Sequence, residues 1–251
     1  MEGSHLPRIP APYLAYAIGD VHGHLDLLEA LLAKIDDDST SFRDATVIKV
    51  LLGDYIDRGP ASNGVIDRLI AENARTDQQV VALMGNHERA LLDFIEDPPY
   101  GANWMQFGGR STLASYGLRP PAMALGPRPW TDLRDALLTA MPPQHLAFIR
   151  NLSLYYQLGD IIFVHAGIRP GIPIAAQSPD DLLWIRDEFL NAWHPEDQLI
   201  VHGHTPAPEV RIGPGRLGID TGAFATGILT AVRLHGADRQ FLQVSRTPPP
   251  P

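Results

Sequence analysis

Five short segments hold nearly every residue in this chain that could act on a metal ion or a phosphate. They are Gly19-Asp20-Val21-His22-Gly23, Gly53-Asp54-Tyr55-Ile56-Asp57-Arg58-Gly59, Gly85-Asn86-His87-Glu88, His165-Ala166-Gly167 and His202-Gly203-His204-Thr205. A carboxylate beside an imidazole is a mixed oxygen and nitrogen donor set suited to manganese, iron or zinc. Asp20 and His22 stand two residues apart, so an extended backbone would send both side chains the same way. Asp54 follows the next strand, where one carboxylate could bridge two ions. The chain has no cysteine. Thiolate ligands and disulfides are therefore excluded, and a metal would be held by His, Asp, Glu, Asn, backbone or water.

Each segment alone has a plainer reading. Asp20-Val21-His22-Gly23 could be a capped turn, and Asp57-Arg58 a surface ion pair worth less than about 1 kcal/mol. Asn86 and Glu88 suit the first turn of any helix. His165, His202 and His204 could be ordinary polar groups at strand ends. The plain readings fail together, because all five would have to fall in order, each beside a glycine at a strand end.

The elements that must position these segments alternate in type. Tyr13–Ile18, 46–52 and 79–84 read as strands, each ending in a glycine and a polar residue. Between and after them, 25–35, 65–74 and 88–95 read as helices, the first with an apolar stripe of Leu25, Leu28, Leu31, Leu32 and Ile35. This alternation predicts parallel βαβ units. Ligands of open α/β sheets sit beyond the carboxyl ends of the strands, so three such ends would deliver their polar residues to one crevice. Helices are expected over 104–116, 131–139 and 144–150. From residue 153 the chain turns β-rich, with strands at 154–158, 161–165, Leu199–His202, 210–212, 230–234 and 241–244.

The 251 residues, 45 % of them hydrophobic, suit one large α/β domain, here 13–245. A flexible segment is expected over 1–12 and a mobile proline-rich tail over 246–251. The net charge of −9 argues against a broad nucleic-acid or anionic-membrane surface, which needs excess Lys and Arg. No apolar run approaches the roughly 20 residues of a spanning helix, and no signal-peptide core precedes residue 13. A cytoplasmic location is expected. Nothing in the pattern fixes the oligomeric state.

GDVHG, GDYIDRG and GNHE, with the later histidines, resemble the calcineurin-like metallophosphoesterases, and more narrowly the bacterial type of the phosphoprotein (serine/threonine) phosphatase family, over residues 13–244. The resemblance implies an αββα four-layer sandwich in a single domain. It implies a first ion on Asp20, His22 and Asp54, and a second on Asp54, Asn86, His165 and His204. Asp57 would orient His87, the general acid, and Arg58 would grip the phosphate. Arg186, in Leu183-Trp184-Ile185-Arg186, matches a second phosphate-binding arginine, though it could instead pair with Asp187 or Glu188. The wider superfamily often ends in Gly-His-x-His. Here Pro206 stands at the second histidine, as is typical of phosphoprotein phosphatases. His202 precedes the motif and is read as structural. The stretch Trp104…Gly108-Gly109…Thr112-Leu113 also resembles bacterial members, without an evident chemical role.

The function so implied is hydrolysis of phosphate monoesters, foremost protein phosphoserine and phosphothreonine. It would need two divalent ions, Mn2+ by preference with Fe or Zn as substitutes. A hydroxide bridging the ions would attack phosphorus directly, with no phosphoenzyme. Phosphotyrosine and small phosphoesters are alternative substrates. A dinucleoside polyphosphate hydrolase is a further alternative, although such enzymes usually carry Asp at the position of Asn86. An inactive scaffold would show damaged ligands, and none is damaged. A nuclease is disfavoured by Pro206 and by the acidic balance.

Overall fold

The computed structural model describes residues 6–120, 126–195 and 197–246. The first half runs β1 (Tyr13–Ile18), α1 (Leu25–Ser39), β2 (Thr46–Leu51), α2 (Ser62–Asn73), β3 (Gln79–Ala82) and α3 (Asn86–Glu96). Four helices follow: α4 (Gly101–Phe107), α5 (Gly109–Ser115), α6 (Arg128–Ala140) and α7 (Pro143–Arg150). The second half holds β4 (Tyr155–Leu158), β5 (Ile161–Val164), α8 (Pro179–Trp184), α9 (Asp187–Leu190) and β6 (Leu199–His202). It closes with β7 (Arg211–Gly213), β8 (Arg216–Gly218), α10 (Ala223–Thr226), β9 (Ile228–His235) and β10 (Asp238–Ser245).

Two five-stranded sheets form, in the orders β10-β9-β1-β2-β3 and β4-β5-β6-β8-β7. β1, β2 and β3 are parallel, as the alternation predicts, and so are β5, β6 and β8. Side chains alternate across a strand, and β1 shows what that does. Leu14, Tyr16 and Ile18 pack with the α1 residues Leu27, Leu28, Leu31, Leu32 and Ile35, while Ala15 and Ala17 face Ile161, Phe163, Leu199 and Val201 of the second sheet. Each fully buried leucine of α1 contributes about 2 kcal/mol. The outer face of the second sheet buries Val164 and Ile200 against Leu182, Ile185 and Phe189. The layers are helix, sheet, sheet, helix.

The structure departs from expectation in four places. The helix expected over 104–116 is two helices, because Gly108 turns left-handed (φ 108°) and its carbonyl accepts the Arg58 N–H at 3.3 Å. The three-residue β8 and the short helices α8, α9 and α10 went unread. The segment expected to be flexible over 1–12 is tied down in its second half. Ile9 is only 2 % exposed and donates to the Gly236 carbonyl at 2.9 Å, and the Arg8 N–H donates to Asp160 Oδ2 at 3.1 Å. Arg246, placed in the expected tail, forms an ion pair with Asp26 at 2.7 Å. Residues 1–5 and 247–251 lie outside the described residues. No helix among the described residues is long and apolar enough to cross a membrane.

Candidate metal centre

The ends of β1, β2, β3, β5 and β6 meet at one edge of the two sheets, carrying Asp20, His22, Asp54, Asn86, His165 and His204. All six are buried. Among the described residues, the non-glycine positions with positive φ are His22, Asp54, Asp57, Arg58 and His204, and every one is at this edge. Such backbone costs of order 1 kcal/mol or more per residue and concentrates at functional sites. His22 (φ 47°) also corrects the picture of an extended 20–22 segment. A left-handed turn, not strand alternation, sets His22 beside Asp54, and the ligand atoms that converge are those of His22, Asp54 and His87 and of Asp54, His165 and His204, with Asp20 outside both groups. The approach is close enough to require glycines. A Cβ on Gly203 would stand 2.0 Å from Asp20 Oδ1.

Hydrogen bonds fix which imidazole nitrogens carry protons. His22 Nδ1 lies 3.0 Å from the Ile56 carbonyl and His165 Nδ1 2.8 Å from the Leu52 carbonyl. A carbonyl only accepts, so both Nδ1 atoms donate. In the neutral rings both Nε2 atoms are then bare. These bare nitrogens point at carboxylate oxygens. His165 Nε2 is 3.5 Å from Asp54 Oδ1, and His22 Nε2 is 3.6 Å from Asp54 Oδ2. The bare His165 Nε2 also lies 2.9 Å from Asn86 Oδ1, an oxygen to which His204 Nδ1 can donate at 2.8 Å. Acceptors facing acceptors require a shared cation or proton. Two atoms each about 2.1 Å from one ion would stand about 3–3.4 Å apart, close to these separations. The donor set therefore fits divalent cations. It fits two, because the two oxygens of Asp54 face different histidines.

Electrostatics favours the same state. Burial pushes His22 down to about 3, His204 down to about 2, and His165 below its ordinary value, which keeps these rings neutral. Burial opposes ionisation of Asp54, whereas positive charge on the rings around it, His165 and His87 first, favours the carboxylate and holds it below the usual range. Asp20 is raised, first by burial and then by the charges of Asp220 and Asp54.

His87 stands at the first turn of α3 with Nδ1 2.8 Å from Asp57 Oδ2 and Nε2 3.7 Å from Asp54 Oδ2. Asp57 is completely buried, which rules out the plainer alternative of a surface ion pair with Arg58. Trp104 Nε1 donates to Asp57 Oδ2 at 3.0 Å and Thr112 Oγ1 to Asp57 Oδ1 at 2.5 Å. The Asp57 N–H donates to Ser62 Oγ and Thr112 Oγ1. The 104–112 stretch thus acquires the role the sequence left blank: it clamps Asp57. Glu88 supports the opposite side, accepting the backbone N–H groups of Asp54, Tyr55, Ile56 and Gly85 at 2.8–3.2 Å.

Two arginines reach the cleft from solvent. Arg58 Nη2 donates to His87 Nε2 at 3.2 Å, and its guanidinium stacks 4.1 Å from the Phe224 ring centre. Arg186 is exposed, with Nη1 3.4 Å from Thr205 Oγ1. His202 is buried against Phe189, its Nδ1 donating to the Gly203 carbonyl at 3.1 Å. Two participants were missed. Phe224 had no sequence signal. Asp220, buried beside Asp20, did have one, since Gly218-Ile219-Asp220 repeats the pattern of a polar residue just beyond a strand and a glycine.

Comparison with known proteins agrees with this geometry. Residues 15–227 match the family model for calcineurin-like phosphoesterases. The asymmetrical bis(5'-nucleosyl)-tetraphosphatase PrpE of Anoxybacillus flavithermus is 27 % identical over 235 residues, covering 86 % of this chain and 88 % of that protein. The symmetrical bis(5'-nucleosyl)-tetraphosphatase of Acidovorax ebreus is 30 % identical over 159 residues, covering 62 % of this chain and 44 % of that protein. A serine/threonine phosphatase from Saccharomyces cerevisiae, similar to human PP5, shares the fold with a TM-score of 0.56 at 14 % identity, over 95 % of this chain and 81 % of that one. With its two-sheet fold and its Asp, Asn and His edge, the chain belongs to the calcineurin-like phosphoesterase family.

Proposed function

We infer that the chain is a metal-dependent hydrolase of dinucleoside polyphosphates, cutting a phosphoanhydride bond. The observation that carries this reading is the 27 % identity, over most of both chains, with a bis(5'-nucleosyl)-tetraphosphatase. The relatives favour this substrate class over the phosphoserine and phosphothreonine expected from the sequence. A phosphomonoester preference keeps the support of the His204-Thr205-Pro206 ending and becomes the other outcome of the test.

Two divalent ions, Mn2+ foremost, would supply Lewis-acid charge and lower the pKa of water. Asp20, His22 and Asp54 would hold the first, and Asp54, Asn86, His165 and His204 the second. The chain's own groups do the rest. Arg58 and Arg186 approach the cleft from solvent, and a guanidinium fork meets two phosphoryl oxygens at once. Once Arg58 turns from His87 to the phosphate, His87 Nε2 is released from its 3.2 Å contact. Held by Asp57 through Nδ1, the freed ring takes up a proton from solvent at Nε2 and gives it to the departing phosphate oxygen.

The test is a parallel assay of the Mn2+-loaded chain on diadenosine tetraphosphate and on phosphoserine, phosphothreonine and phosphotyrosine peptides. Hydrolysis of the dinucleotide with kcat/KM about 100-fold or more above every peptide is expected, a margin within reach of contacts to the extra substrate groups. Chromatography of the products separates symmetrical cleavage to ADP from asymmetrical cleavage to ATP and AMP. Faster cleavage of a phosphopeptide would overturn the reading.

A further inference from the structure

Arg58 is fixed at its backbone. Its N–H donates to the Gly108 carbonyl at 3.3 Å, and its own carbonyl accepts the Ser111 hydroxyl at 3.1 Å. A Cβ on Gly108 would stand 2.9 Å from Arg58 Cγ, so the stem of the side chain runs out along a glycine. The guanidinium beyond it has no carboxylate within ion-pair distance among the described residues. Asp57, its neighbour in sequence, is occupied by His87, Trp104 and Thr112. What the guanidinium does meet is His87 Nε2 at 3.2 Å and the face of Phe224 at 4.1 Å from the ring centre.

Phe224 is carried by α10, a single turn set between two left-handed glycines, Gly222 (φ 67°) and Gly227 (φ 70°). The turn is pinned at both ends. The Gly222 N–H donates to Asp220 Oδ1 at 2.9 Å, and Thr226 Oγ1 donates to the Thr221 carbonyl at 2.8 Å. The Phe224 ring stands perpendicular to the His22 ring, with centres 5.4 Å apart, yet 37 % of the residue is exposed. Core packing does not account for a ring left partly in water at the edge of a metal centre. Its contact with Arg58 does.

An arginine that grips phosphate has two conflicting needs. It must be held in place, because a long free side chain loses rotamer entropy when it binds. It must also keep its donors free. A carboxylate partner would hold it but would occupy the N–H fork. An aromatic face attracts the cation through the ring quadrupole and leaves the N–H groups available. A face also lacks the single direction of a lone pair, so the guanidinium can turn on it without losing contact. We propose that Phe224 is a positioning residue for Arg58. Its ring keeps the guanidinium at the mouth of the metal centre, with donors free for a phosphoryl group, while Arg58 swings away from His87. The proposal rests on Arg58 as the phosphate contact in the reading above, and not on the substrate class.

The test is calorimetric titration of inorganic phosphate into the Mn2+-loaded chain. Wild type is compared with Phe224→Leu, Phe224→Tyr, Arg58→Ala and the double variant of Phe224→Leu with Arg58→Ala. The probe is phosphate alone, so failure of the dinucleotide assay leaves this result standing. Kd should rise about 3- to 30-fold in Phe224→Leu, the range for one cation–π contact between exposed and desolvated settings. Phe224→Tyr keeps the aromatic face and should bind within about twofold of wild type. With Arg58 already replaced, the leucine should add less than about twofold, because the partner through which the ring acts is gone. Manganese content, by atomic emission, should match wild type throughout. A loss below threefold in Phe224→Leu, or a tyrosine variant as weak as the leucine, would overturn the proposal. An equal loss with and without Arg58 would overturn it too, making the ring a direct contact of the ligand. Manganese lost from Phe224→Leu would assign the ring to the support of His22 instead. A wild type that binds no phosphate would remove the role of Arg58 on which the proposal stands.

Discussion

A single oxygen of Asp57, Oδ2, receives both the His87 ring through Nδ1 at 2.8 Å and the Trp104 indole N–H at 3.0 Å. That convergence fixes the His87 tautomer and turns Nε2 toward the cleft. Replacing His87 with Asn should therefore lower turnover by about 10²–10⁴, the usual range for a general acid. The metal content, measured by atomic emission, should stay at the wild-type level. Wild-type turnover in that variant would remove His87 from the mechanism.

The same pair sets a pH limb. Burial disfavours protonated His87, but the charge of Asp54 and the hydrogen bond the ring donates to Asp57 outweigh it and raise the ring above its ordinary value. An acid works below its pKa, so turnover should fall as pH rises through that value. In Asp57→Asn one negative charge is lost, the His87 pKa falls, and the alkaline limb should move to lower pH. A pH–kcat profile unmoved by Asp57→Asn would mean another group supplies the proton.

Trp104 is stacked on Phe94, with ring centres 5.2 Å apart. Phenylalanine at 104 keeps that packing and deletes only the donor to Asp57. A roughly tenfold loss in kcat with KM unchanged is expected, the scale of an orienting hydrogen bond removed beside a site. A change in KM alone would show that Trp104 acts on substrate binding instead.

Much of the site was legible because its residues follow strand ends, where a glycine and a polar residue stand out. Asp20, Asp54, Asn86 and His165 were found this way. What stayed hidden depends on contacts far apart in sequence. Thr112 reaches Asp57 across 55 residues, and nothing local to either residue reports it. Asp220 carried the right signal, but β8 has three residues, too few to show a period of two. The fold's four layers came through the resemblance, and the three parallel strands through the alternation. The split at Gly108 was not visible, because its cause is the backbone of Arg58.

Away from the site, Lys49 points from β2 into the helix layer and is fully buried between Glu72 at 2.7 Å and Asp36 at 2.5 Å. Burial works against both carboxylates, yet the hydrogen bonds from Lys49 hold both below their usual range. A carboxyl depressed in the folded state contributes stability above its unfolded pKa of about 4, and that contribution fades as pH falls through the folded value. Lys49→Met leaves Glu72 buried with only Arg68, at 2.6 Å, and the Gln78 amide close by, and should cost about 3 kcal/mol at neutral pH. Urea unfolding at neutral and at acidic pH checks this. The gap between wild type and variant should narrow in acid, and an equal gap at both would place the loss in packing alone.

Asp54 turns one oxygen to His165 and the other to His22, and it is the residue common to both clusters of potential ligands. If each oxygen serves a different ion, replacing Asp54 with Asn must weaken both sites, whereas damage at His165 should be confined to one. Stabilisation by a bound ion grows with its concentration over Kd, reaching about 2.7 kcal/mol per ion at 100-fold excess. Adding Mn2+ to the metal-stripped wild type should raise its melting temperature in proportion to two such contributions. The rise should be close to absent in Asp54→Asn and about half as large in His165→Asn. Full-sized rises in both variants would mean that Asp54 does not join the two ions. A loss in Asp54→Asn no larger than in His165→Asn would assign it to one ion only.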